Sequence, residues 1–117
     1  MISVDGGDPV LPYTVDEIRH RVAPVAEKYK LAAVYLFGFY ARGEATADSD
    51  VDLLVDLTNS NVHGIVLGGL YNDLEEALGV TVDLVTVASL EQPTSFRSDH
   101  DFRANIERER MMIYAAA

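Results

Sequence analysis

The chain has 117 residues, 49% of them hydrophobic, a length and composition that predict one domain over 1–117 with a core of its own. It contains no cysteine, which excludes disulfides, thiolate metal sites and cysteine nucleophiles, and no apolar run approaches the roughly 20 residues that span a bilayer. A net charge of −10 disfavours direct binding to nucleic acid and suits cations or a basic protein instead.

Residues 1–13, rich in Gly, Asp and Pro, read as an irregular lead-in. They have neither a basic start nor a long apolar stretch, so no signal peptide is expected and a cytoplasmic location is the default. Thr14 to Glu17 form a capping box, in which the Thr14 hydroxyl accepts from the amide near Glu17 and Glu17 reaches back. The helix that follows has apolar residues at Ile18, Val22, Val25, Ala26 and Tyr29, and Pro24 predicts a kink or break in it. Residues 31–38, "LAAVYLFG", read as a buried strand ending at glycine.

Residues 39–49 are polar and read as a connection, and 51–57, "VDLLVDL", as a second strand. A helix is predicted over about 64–78, with Ile65, Leu67, Leu70, Leu74 and Leu78 as its buried stripe and Gly79 as its C-terminal cap. Residues 80–87, "VTVDLVTV", are rich in β-branched side chains and predict a third strand. "SLEQPTSFRS" is a connection with room for a helical turn, and 99–114 read as a final helix. The alanines at 115–117 fit either a helix tail or a cloning scar. The order predicts an α+β fold, an α/β sandwich with helices packed on a small mixed sheet.

The acids are the chemically informative residues. Side chains alternate along a strand, so Asp50 and Asp52 project to one side, and their carboxylates converge if residue 50 is already extended. Two such charges close together call for a counterion, and a hard divalent cation such as Mg²⁺ takes one or two carboxylates plus substrate phosphates. Asp83 alternates with Val82 and Leu84 in the third strand, and completes a three-carboxylate cluster if that strand neighbours the second. Asp56 shares their parity but lies deeper and reads as strand-end polarity. Ser49 reads as a turn former, and His20, His63 and His100 are too scattered to be assigned a role.

"GFYARGEATADSDVDLLV", residues 38–55, resembles the nucleotidyltransferase signature, in which Gly-Ser is followed by Asp-x-Asp. Gly38, then Asp50-Val51-Asp52 at the family's spacing, and the "ARG" of 41–43 carry the resemblance, which extends from about residue 14 onward. The chain is similar to the minimal nucleotidyltransferases of the DNA polymerase β superfamily. The resemblance implies a polymerase β-like fold and two Mg²⁺ ions held by Asp50 and Asp52. It implies that Asp83 completes the metal carrying the attacking hydroxyl and helps to deprotonate it. The implied reaction is in-line attack on the α-phosphate of ATP with release of pyrophosphate. Gly38 would let the backbone approach the phosphates, and Arg42 would contact phosphate or ribose or else pair with Glu44 or Asp48.

Stand-alone minimal members resemble antitoxins paired with a helical HEPN-family toxin ribonuclease, in which AMP passes from ATP to a toxin tyrosine. A non-catalytic antitoxin acting by contact alone is the second reading. A small-molecule, aminoglycoside-type transferase is the third, disfavoured because such relatives carry a further helical domain. The family carries serine where this chain has Phe39. Losing one charge-assisted hydrogen bond there costs roughly 1.5–3 kcal/mol. The ring can point outward into the pocket mouth or inward beside Phe37, and both orientations are open from sequence.

Overall fold

Thr14 opens the first helix as the sequence predicts. Its Oγ1 accepts from the Glu17 amide at 3.1 Å, while Glu17 Oε1 accepts from the Thr14 amide at 2.8 Å, closing the box. The computed structural model describes residues 10–91 and 100–116, with the backbone alone at 100 and 101. Expectations for residues 1–9, for most of the "SLEQPTSFRS" connection and for the last alanine fall outside these. Helix α1 (Val15–Lys28) buries Ile18, Val22, Val25 and Ala26. The predicted break at Pro24 does not occur, because the helix continues to Lys28 while Pro24 itself sits exposed.

The remaining elements are β1 (Ala33–Phe37), α2 (Gly38–Arg42), β2 (Val51–Asp56), α3 (Ile65–Leu78), β3 (Val82–Thr86), α4 (Val87–Leu90), α5 (His100–Glu109) and β4 (Met111–Ala115). The sheet order is β3-β2-β1-β4. Strand β1 pairs antiparallel with β2 and with β4, whereas β2 and β3 run parallel, joined by the α3 crossover. Both faces are covered. Val34, Leu36, Val51, Leu53, Val55 and Val82 pack against α1 and α3. Phe37, Leu54 and Val85 pack against Leu90 and Ile106 of α4 and α5, with Phe102 edge-on to Phe37. The alternation of apolar residues along β2 therefore serves two layers. It also places the even-numbered Asp52 and Asp56 on the thinner α4/α5 side.

Four expectations need correction. The stretch 39–49 is not all connection, since Gly38–Arg42 forms a short helix closed by Gly43. Ile65 is 95% exposed rather than part of the α3 stripe, because it occupies the first helical position, beyond the sheet. Leu70, Leu74 and Leu78 are buried as predicted, and Gly79 caps the helix at φ +69°. The final helix ends at Glu109, and Met111–Ala115 turns back as an edge strand against β1. Finally, Tyr13 belongs to the core rather than to an irregular lead-in.

Tyr13 ties two elements together. Its hydroxyl donates to the Leu78 carbonyl at the end of α3, and its amide donates to the Tyr40 hydroxyl at 3.3 Å. Burial pushes the Tyr13 phenol pKa up. Tyr13→Phe strands a carbonyl at a buried helix end, so we expect a loss of about 1–2 kcal/mol. A thermal melt should show it as a fall of about 5–10 °C. On the far side of α1, Asp73 accepts from Lys28 Nζ at 2.8 Å and Tyr29 Oη at 2.7 Å, fastening α1 to α3 and holding the Asp73 carboxyl below its ordinary range. No helix among the described residues is long and apolar enough to cross a membrane.

A carboxylate row between two clefts

The register of the sheet assembles the site. Asp52 is the first inward-facing residue of β2 on the α4/α5 side, and it lies opposite Phe37 on β1 and opposite Asp83 on parallel β3. Facing residues in paired strands project to the same side, so Asp52 and Asp83 stand side by side, the condition on strand order being met. Asp50 precedes the strand and lines the same cleft as Asp52. That cleft, about 420 Å³, is also bounded by Phe39, Glu44, Thr46, Asp48 and Ser49. Four of its seven lining residues are acids. An unaccompanied triphosphate would be repelled, and cations would be drawn in.

Gly38 explains how Asp52 is held. Its φ of +73° lies in the left-handed region, where glycine carries little penalty. A Cβ there would stand 2.1 Å from Asp52 Oδ2, so the Asp52 carboxylate lies directly against the Gly38 α-carbon. The glycine thus serves both the turn from β1 into α2 and the space for the acid. Ser49 does set the turn before Asp50, its Oγ accepting from the Thr46 amide at 2.8 Å. Asp56 is strand-end polarity as read. The hydroxyl and then the amide of Thr58 hydrogen-bond its carboxylate and lower its pKa.

Phe39 points outward, 51% exposed, at the mouth of the acidic cleft, while Tyr40 takes the buried position behind it. The Arg42 guanidinium lies 4.9 Å from the Phe39 ring centroid. Arg42 is also held by Glu44 and Glu109, each at 3.0 Å. Of the predicted partners it takes Glu44. Glu109 was invisible from sequence because it lies 67 residues away, on α5. His20 and His63 are exposed and touch neither cleft.

A second cleft of about 430 Å³ runs between α3 and the outer edge of β3, lined by Gly64, Leu67, Gly68, Tyr71, Val82, Asp83 and Leu84. Asp83 apart, sequence reasoning missed these residues. The available signal was the "GG" at 68–69, since each glycine inside a helix costs about 1 kcal/mol relative to alanine and needs a reason. The Tyr71 phenol hydrogen-bonds Glu75 and lies in the fields of Asp83 and Asp50, and Glu75 in turn accepts from the Val82 amide at 3.0 Å.

The donor set suits Mg²⁺: hard carboxylate oxygens of Asp50 and Asp52 on one open cleft, with room for phosphate oxygens to complete the shell. Among the described residues no three carboxylate or histidine side chains are gathered closely enough to hold an ion, so the expected three-carboxylate cluster of Asp50, Asp52 and Asp83 is not formed, although β2 and β3 are neighbours.

Comparison with known proteins identifies the family and the fold. Residues 22–112 match the family described as nucleotidyltransferase domain. The protein adenylyltransferase MntA of Thermococcus cleftensis is 42% identical over 65 residues, 55% of this chain and 64% of that protein. A solved minimal nucleotidyltransferase superposes with a TM-score of 0.65 at 30% identity, covering 87% of this chain and 98% of that one. The MNT antitoxin in complex with a tri-AMPylated Shewanella oneidensis HEPN toxin shares the fold, with a TM-score of 0.56 at 20% identity over 87% of this chain and 73% of that chain.

Proposed function

The chain belongs to the nucleotidyltransferase domain family, and from that premise we propose that it is an antitoxin-type protein adenylyltransferase, moving AMP from ATP to a tyrosine of a HEPN-type partner. The observation that carries this reading is the seating of Asp52, between Gly38 on one side and Asp83 on the other, above the cleft it shares with Asp50. The named activity of the Thermococcus relative and the AMPylated toxin beside the Shewanella antitoxin support the choice of AMP and of a protein acceptor.

In this mechanism Asp50 and Asp52 would hold Mg²⁺, with Asp83 as a further carboxylate ligand, and the metal would supply charge neutralisation. Gly38 keeps the backbone low beside the phosphates. The acceptor's phenol oxygen bonds to the α-phosphorus, and the bond from that phosphorus to the bridging oxygen of the β-phosphate breaks. Pyrophosphate leaves, and the phenolic proton passes to the Asp83 carboxylate and on to solvent. Asp52 is positioned before substrate arrives, by the Gly38 contact and the sheet register. That placement reduces reorganisation during the reaction.

The outward Phe39 favours a second reading as well, an antitoxin that neutralises by contact with little turnover. Its ring stands where the family's serine would meet a triphosphate oxygen, and Arg42, stacked on it, is engaged by Glu44 and Glu109. Phe39→Ser should therefore raise AMP transfer about 10- to 100-fold, the equivalent of one charge-assisted hydrogen bond. Labelled ATP and the partner protein give the measurement. Equal, robust transfer by both chains would remove position 39 from the argument.

A further inference from the structure

We propose that Glu109 is a positioning residue for nucleotide entry: from the end of α5 it holds Arg42, and through Arg42 it keeps the Phe39 ring parked at the mouth of the acidic cleft. This inference rests on the reading of that cleft as the nucleotide site and adds to it a contact that nucleotide binding must break.

Arg42 is gripped from two directions. Glu44 accepts from its Nε and Glu109 from its Nη1, each at 3.0 Å, while the guanidinium carbon lies 4.9 Å from the Phe39 ring centroid. Phe39 and Arg42 are three residues apart on α2, so they share one face of that short helix and the longer side chain reaches back over the ring. The two carboxylates are unequal. Glu44 belongs to the same segment as Arg42, just past the Gly43 cap, and its side chain is 59% exposed. Glu109 is 16% exposed and 67 residues away, so its pair with Arg42 is the tertiary one and is less screened by solvent.

Glu109 is a firm post for this purpose. Ile106, one turn earlier on α5, is buried in one cluster with Phe37, Leu54 and Val85, and the Arg110 amide donates to the Ile106 carbonyl at 2.8 Å. Strand β4 then starts at Met111 and pairs with β1. The core on one side and the sheet on the other therefore fix the backbone at Glu109. By contrast α2 has five residues, no side-chain cap at its start and Tyr40 as its buried residue. A displacement between the two falls on α2.

Among the described residues lining the acidic cleft none is a cation. A triphosphate entering there would draw on the guanidinium behind the mouth ring, since a planar fork of N–H donors suits phosphate oxygens. Arg42 cannot offer that fork while its Nε and Nη1 serve carboxylates, and the stacked ring moves only as the guanidinium does. Nucleotide and Glu109 therefore compete for one side chain, and a chain freed of the Glu109 contact has a larger binding-competent fraction. By reciprocity, nucleotide loosens the contact between α2 and α5 by the factor by which that contact weakens nucleotide binding.

The chain has no tryptophan, so Phe39→Trp places a single fluorophore at the ring's own position. In that background Glu109→Gln, nearly isosteric but uncharged, should raise quenching by acrylamide roughly twofold, because the ring loses its fixed cover. In the chain with Phe39 in place, Glu109→Gln should tighten binding of Mg²⁺ with a non-hydrolysable ATP analogue about 3- to 10-fold by calorimetry. Glu107 pairs with Arg110 instead, so Glu107→Gln removes the same charge from the same helix and should change affinity by less than about twofold. The gain at Glu109 should vanish in an Arg42→Gln background. Unchanged quenching, unchanged or weaker binding by Glu109→Gln, an equal gain from Glu107→Gln, or a gain that survives Arg42→Gln would each overturn the assignment. Failure of the analogue to bind both the wild-type chain and Phe39→Ser, with quenching still raised by Glu109→Gln, would instead overturn the nucleotide reading of the cleft beneath it.

Discussion

Asp52→Asn is expected to reduce AMP transfer by about 10²- to 10³-fold, or 2.7–4 kcal/mol, the scale typical of removing one preorganised electrostatic group from an active site. The change is nearly isosteric, so the contact with Gly38 and the register with Asp83 are retained. It removes one negative charge from a cleft whose lining includes Glu44, Asp48, Asp50 and Asp52, and this relieves repulsion in the absence of metal. Folding stability should therefore stay within about 1 kcal/mol of the starting chain or rise, as for most substitutions that create neither a cavity nor an unpaired charge. The signature is a dissociation of two readouts. Mg²⁺ with a non-hydrolysable ATP analogue should raise the melting temperature of the wild-type chain, because it binds the folded state alone. The same addition should leave Asp52→Asn nearly unmoved. A variant that retained both transfer and the ligand-induced shift would show that Asp52 is structural and that the site lies elsewhere. Neutralisation of the partner by Asp52→Asn without any modified tyrosine would support the contact-only antitoxin instead.

Much of this was legible because the relevant signals are local. The capping box, the Gly79 cap and the β-branched run around Asp83 each reflect neighbours within a few residues, and each takes the form predicted. The pairing of Asp52 with Asp83 was conditional on strand order, which sequence does not state, and the α3 crossover supplies it. Strand β4 was hidden for a physical reason. Ile106 and Ile113 are both buried and lie seven residues apart, the repeat of a helix face, and the Met and Ala around them are good helix formers. Pairing with the open edge of β1 overrides that propensity, and only the tertiary fold reveals the edge. The same holds for Phe39. Whether its ring turns inward depends on which of two adjacent aromatics fills the core, and Tyr40 does so by also meeting the Tyr13 amide. Tyr13 lies in a segment whose composition looked irregular, so the residue that decides the orientation of Phe39 was itself out of view.

Gly38→Ala should produce the second large effect, and its cause can be separated into two parts. The φ of +73° costs an alanine about 1–2 kcal/mol of backbone strain wherever the new methyl points. The methyl itself would lie 2.1 Å from Asp52 Oδ2, 2.9 Å from its Cγ and 3.3 Å from its Cβ, so every nearest atom belongs to one side chain. A carboxylate at the end of a short side chain moves more easily than a sheet, and Asp52 is the group expected to yield. Transfer should then fall about as far as in Asp52→Asn, near 10²- to 10³-fold, because a turned carboxylate no longer faces the acidic cleft it shares with Asp50. The melting temperature should drop by roughly 5–15 °C, given strain plus residual crowding in a domain of this size. A double-mutant cycle distinguishes the parts. In an Asp52→Ala background the clashing oxygen and carboxyl carbon are gone, so Gly38→Ala should cost little more than its backbone strain. A stability penalty of equal size in both backgrounds would mean that the methyl and the carboxylate do not meet. In that case Gly38 would be required by the turn alone, and the seating of Asp52 would need another explanation.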